Sequence, residues 1–229
     1  MLTVDPRHRH MTTAAMLGAG VPAGILVTAT SCLLAALRPG FDVRHHANSL
    51  LVLGDWGWVQ TLDFIVYGVL LVAFGIGIGR AVWPQRSGII AAAGIAVYGL
   101  GAGVVVGFNA PTPAFGFPPG STTGYPGYDT VDTSTKIHGI GGMIGFLAVT
   151  VACFAFARYF ARTGRPGWSV LSGLVATAVL AVCAYLGASA SAATDTFNYL
   201  PTWVVSVMLW LYVSAVAGRL LADFRGGRR

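Results

Sequence analysis

Charge is what this 229-residue sequence has least of: 10% of its residues are charged, none is Glu, and Lys136 stands alone beside thirteen arginines. With 55% hydrophobic residues and a mean hydropathy of +0.70, that scarcity excludes a water-soluble domain and marks an integral membrane protein. Cysteine is scarce too. Cys32, Cys153 and Cys183 are single thiols inside apolar stretches, with no spacing that would build a disulfide framework or a metal site, so they read as small core residues. There is no G-x-S-x-G elbow and no cysteine close to a histidine, which argues against hydrolysis by a serine or cysteine nucleophile. The internal repeats and interrupted helices of a conventional transporter are missing. A cleavable leader is not expected either, because the first apolar run is long and continues past "ATSC" as "LLAAL".

What the chain does have is six apolar stretches near the ~20 residues that cross hydrocarbon. They fall at about residues 13–37, 58–79, 88–108, 138–157, 169–190 and 201–221. The connections alternate in chemistry: 11 of the 14 basic residues lie in one set, near both termini and around 80–86 and 158–165, while only Arg38, Arg44 and Lys136 lie in the other. Six of the eight acids, Asp42, Asp55, Asp63, Asp129, Asp132 and Asp195, fall on the side poor in basic residues. The positive-inside bias therefore predicts an all-α integral membrane protein, a six-helix transmembrane bundle with both termini cytoplasmic. Residues 1–12 and 222–229 read as basic cytoplasmic tails, 13–221 as the bundle, and 109–137 as a long outer loop. The basic pI follows from this topology and implies no nucleic-acid partner.

Gly99, Gly103 and Gly107 repeat every four residues in the third span, a small-xxx-small pattern that lets a neighbouring backbone come close. Gly20 and Gly24, Gly75 and Gly79, and Gly141 and Gly145 repeat the spacing. The outer loop holds five prolines and four glycines, which exclude regular structure, together with Phe115, Phe117, Tyr125 and Tyr128. It reads either as a binding loop or lid, or as a segment resting on the membrane interface.

Three blocks carry a resemblance: "SLLVLGDWGWVQTLDFIVYGVLLVAFGIGIGR", "GLGAGVVVGFNAPTPAFGFPPG" and "IHGIGGMIGFLAVTVACFAFARYF". In order and spacing, over about residues 45–190, they resemble a bacterial multi-span membrane family known as domain of unknown function 998. The resemblance implies a six-span fold in a bacterial cytoplasmic membrane, and it supplies no activity. Members of that family commonly read Phe-x-x-Asp-Pro after the third span. Here the sequence is "VGFNAPTP", with Asn109 near the usual acid and Pro111 shifted, which implies an altered site in this chain.

Asp63 lies inside an apolar span, where a carboxyl is costly and commonly functional. Trp56, Gln60, Asp63 and Tyr67 are spaced to line one helix face. Asp63 is five residues past Trp58, about 7 Å at the usual helical rise, so it is reachable from outside yet deep enough to be desolvated. A desolvated carboxyl favours its neutral form, which can donate a proton. The alternative is a helix-to-helix hydrogen bond to Ser, Thr or Asn on a neighbouring span.

His138 opens the fourth span and is the histidine best placed to face the bundle; His45 and His46 precede the second span and, being adjacent, make a poor chelating pair. His8 and His10 read as solvated. Asp195 is a loop residue or helix-end cap, and Trp203, Ser206 and Trp210 form a stripe usually spent on packing. Together with Trp56, Trp58, Tyr67 and Phe108, this stripe predicts an aromatic pocket with few acids in the outer half.

Two functions remain open. In the first, the chain is a membrane enzyme, a terpenoid cyclase analogue acting on an isoprenoid or other lipid-like substrate. Asp63 is then the general acid, Gln60 or His138 orients it, and Trp56, Tyr67, Phe108, Asn109, Asp195 and Trp203 hold substrate, with aromatic faces steadying a carbocation. The sequence carries no catalytic motif of such cyclases and calls for neither metal nor cofactor. In the second, it is a noncatalytic membrane protein that binds a lipid or small molecule and supports transport, sensing or assembly.

Overall fold

Each apolar stretch becomes one long helix because a segment in hydrocarbon must satisfy its backbone polar groups internally. The computed structural model describes residues 6–124, 127, 129–191 and 197–227. Its spans are α1 (Pro6–Leu37), α2 (Gly57–Val82), α3 (Arg86–Phe108), α4 (Thr133–Arg162), α5 (Pro166–Ser191) and α6 (Leu200–Arg225). All six are long and apolar enough to cross a membrane, and the protein is a multi-pass membrane protein. Ile25, Leu33, Val69, Leu147, Leu174 and Val204 point outward from the bundle, which is the side that lipid covers.

The helices run alternately up and down and pack in chain order as a ring, with α1 lying between α2 and α6 and a sparser α5–α6 contact completing the circuit. Phe74, Ile95, Tyr98, Phe156, Phe160 and Leu209 fill the middle. The start of α1, the end of α6 and the turns at 83–85 and 163–165 lie at one end, called the basic end below; the segment 38–56 and the described residues of 109–132 lie at the other, the loop end.

Close approach at α3 depends on glycine. A Cβ at Gly103 would stand 2.5 Å from the Cα of Gly68 on α2, and one at Gly101 would stand 2.5 Å from the carbonyl oxygen of Gly141 on α4. The backbone that carries both, Gly99–Val105, widens into a π-helical segment. The glycine pattern read from the sequence thus marks true helix contacts, although Gly79 meets no more than the Ala92 Cβ at 3.8 Å.

The helices run past the apolar segments that announced them. Residues 6–12 and 222–225 are helical, where basic tails were expected. The loop expected at 109–137 ends at Asp132, whose carboxylate caps α4 by accepting from the Thr135 N–H at 2.7 Å; that bond holds the carboxyl below its usual range. Cys153 is buried as expected, whereas Cys32 is exposed on α1.

At the loop end, 38–56 and 109–124 fold onto each other. Phe41 meets His46, Phe117 and Trp203 at ring separations of 5.1, 5.0 and 6.0 Å. Arg38 donates to the Leu51 and Leu53 carbonyls and stands over the Phe117 ring at 5.1 Å. Its burial lowers the guanidinium from its ordinary value, against the opposing pull of Asp55.

Candidate functional site

Asp63 sits in the second turn of α2, half-buried on the seam with α1. Gln60, one turn earlier and fully buried, sends its Nε2 to Asp63 Oδ2 at 3.4 Å and to Ser31 Oγ at 3.1 Å. The Ser31 hydroxyl also reaches Gln60 Oε1 at 3.3 Å. Thr30, beside Ser31 on α1, hydrogen-bonds the same carboxyl. The result is a polar ladder, Ser31–Gln60–Asp63–Thr30, joining two spans that are otherwise apolar at this depth. Spacing on α2 revealed Gln60 and Asp63; their partners come from another helix and carry no local signal.

Tyr67 continues the Asp63 face inward, into the core. Its ring meets Tyr98 edge-on at 5.9 Å, and its hydroxyl is buried. Cys153 and Tyr212 lie nearby, and the Tyr212 hydroxyl donates to Ser172 at 2.7 Å.

The other expected site residues are dispersed. Trp56 is 60% exposed before α2, and Phe108 is 71% exposed at the end of α3. His138 lies in the second turn of α4, and its Nδ1 donates to the Asn109 carbonyl at 2.6 Å, while the Asn109 side chain caps α3 by donating to the Val105 carbonyl at 2.8 Å. This pair ties α4 to the end of α3, with Gln60 as the direct partner of Asp63. Trp203 is buried against Leu34 and Leu51 and donates its indole N–H to the His46 carbonyl at 2.8 Å. Asp195 lies outside the described residues, as do Tyr125 and Tyr128.

His46 lies among the loop-end segments and is buried. Its Nδ1 accepts from the Asp42 N–H at 2.8 Å, so Nε2 carries the proton and donates to the Phe115 carbonyl at 2.9 Å. Both ring nitrogens are therefore used in pinning the two loop segments together. Among the described residues, no three His, Cys, Asp or Glu side chains gather where they could hold a metal ion.

The basic end has the opposite character. A cavity of about 550 Å³ opens between α1, the end of α2 and the end of α6, lined by Arg9, His10, Thr13, Arg80, Trp83 and Phe224. A second, of about 470 Å³, is lined by His8, Arg9, Thr12 and Arg80, so the two share a pair of arginines. His10 is exposed, as expected, and also stacks on Phe224 at 4.5 Å. The contact arises because α1 begins at Pro6 and carries these side chains into register with α2 and α6. Beside the cavities, buried Asp223 binds Arg165 through both carboxylate oxygens and Arg219 at 3.2 Å.

Neither the curated proteins nor the solved structures compared with the chain contain a match. The family described as protein of unknown function DUF998 matches residues 19–219. That span takes in the whole ring from the middle of α1 to the last turns of α6, and the chain belongs to this family.

Proposed function

We propose that the protein binds a lipid-like or small-molecule ligand within the membrane and does not transform it. The observation that carries this reading is the cavity at the basic end. Its volume, about 550 Å³, lies in the range of ligand sites, and its walls combine aromatic with basic side chains at the end of a span, where an amphiphile is anchored. Acid-catalysed cyclisation would need Asp63 to face a chamber holding substrate. Asp63 instead makes hydrogen bonds with Thr30 and Gln60 on the α1–α2 seam, the arrangement of interhelical polar contacts. The aromatic groups that would steady a cation lie partly outside the bundle, at Trp56 and Phe108, and partly in packed cores, at Tyr67 and Trp203. The excess of arginine at the basic end supports placing that end in the cytoplasm.

The test is to purify the protein in mild detergent, extract what travels with it, and identify the extract by mass spectrometry. A stoichiometric, unmodified amphiphile or small molecule is expected. A mixture of an olefinic isoprenoid and its cyclised product, with the product lost in Asp63→Asn, would replace this reading with the enzymatic one.

A further inference from the structure

We propose that the paired cavities at the basic end form a site for a phosphate-bearing amphiphile, with the phosphate held between Arg9 and Arg80; this rests on the ligand-binding reading above and names its ligand. The two arginines line both cavities, so they stand at the boundary where the two volumes meet. On one side of that boundary are Trp83 and Phe224, flat apolar surfaces suited to the glycerol backbone and first methylenes of a lipid chain. On the other are His8 and Thr12, suited to the polar extension of a headgroup. Trp83 closes α2 and is 73% exposed, the position of an interfacial aromatic anchor.

The charges fit an anion. Among the described residues no carboxylate pairs with Arg9 or Arg80, and the Arg80 guanidinium meets only the Met16 thioether at 3.2 Å. Asp223, the acid nearest in sequence to cavity residue Phe224, is already bound to Arg165 and Arg219. Two guanidinium groups without acidic partners among the described residues, at the mouth of an interhelical cavity, are a phosphate-recognising arrangement: each offers a planar fork matched to phosphate oxygens. Basic pockets between spans at a membrane surface take lipid headgroups by this chemistry.

The experiment uses the full-length protein in phosphatidylcholine nanodiscs and follows thermal stabilisation on adding phosphatidic acid, phosphatidylglycerol or inorganic phosphate. A saturable rise in melting temperature with an anionic lipid is expected. Arg9→Gln and Arg80→Gln should each weaken it on the order of tenfold, the usual loss with one charge-assisted bond. Because neither arginine has an ion pair to lose among the described residues, both variants should fold. Arg86→Gln, at the same end but outside the cavities, is the control and should bind like wild type. An equal response to inorganic phosphate would assign the site to a soluble phosphate compound; a response confined to lipid assigns it to a headgroup. Equal losses in all three variants would mean that a diffuse positive field attracts the lipid, and would overturn the site, as would no loss in any. If a neutral ligand co-purifies and survives Arg9→Gln/Arg80→Gln, this site falls while the ligand-binding reading stands. If nothing co-purifies and nothing stabilises the protein, both fall.

Discussion

Replacing Gly103 with alanine adds one methyl group to a place where two spans touch backbone to backbone. The new Cβ would stand 2.5 Å from Gly68 Cα, 2.8 Å from Gly68 N and 3.0 Å from the Phe64 oxygen. All three obstacles are main chain, so no rotamer change relieves the clash, and α2 and α3 must separate. Overpacking of this kind costs about 1–3 kcal/mol, offset by the roughly 1 kcal/mol that alanine gains over glycine in a helix. At about 2–4 °C per kcal/mol for a chain of this size, a net loss of up to about 2 kcal/mol lowers the melting temperature by up to about 8 °C. Gly103→Leu should cost more. Gly173→Ala is the matched control, since a Cβ there meets nothing within 4 Å; helix propensity alone then leaves it neutral or stabilised by up to about 1 kcal/mol. Both are read by thermal scanning in one detergent. A Gly103→Ala protein that melts above wild type, a Gly103→Leu protein that melts with it, or a Gly173→Ala protein that falls as far as Gly103→Ala, would refute the assignment of this face to helix contact.

Asp63→Asn keeps the size and hydrogen-bonding capacity of the group that meets Thr30 and Gln60, so its melting temperature should stay near that of wild type. Asp63→Leu leaves buried Gln60 short of a partner and should cost about 1–3 kcal/mol; equal melting of the Asn and Leu variants would dismiss the polar ladder. His46→Ala removes the ring that joins Asp42 to Phe115 and should speed limited proteolysis within 109–132 severalfold, whereas unchanged cleavage would show that the two loop segments hold without it. In a cysteine-free background, a membrane-impermeant thiol reagent applied to intact cells should label Thr122→Cys and spare Arg162→Cys. The reverse pattern would invert the proposed orientation.

The six spans were legible because each is apolar all round, the signature of a helix surrounded by protein and lipid. Their ends were not. Hydropathy records where water begins, while helical hydrogen bonding continues through His8, His10 and Arg9 at one end and Ala222 to Arg225 at the other. The α2 half of the polar ladder was readable because Gln60 and Asp63 are three residues apart on one helix. Ser31 is 29 residues from Gln60, and only the packing of α1 on α2 brings it there. Convergence failed for a similar reason: spacing put Trp56, Phe108 and Trp203 at one end of the bundle, but did not tell which side of each helix end its ring would take. The basic-end cavity left the weakest trace, since Arg9, Arg80 and Phe224 belong to three helices and become neighbours only when the ring closes between α6 and α1.

The most direct measurement is an experimental density map of the protein purified in mild detergent, with whatever it retains. Density for a bound molecule is expected in the cavity between α1, α2 and α6, in contact with Arg80 and Trp83, and none against Asp63. Density for a bound molecule beside Asp63, with the basic-end cavity closed by side chains, would contradict it.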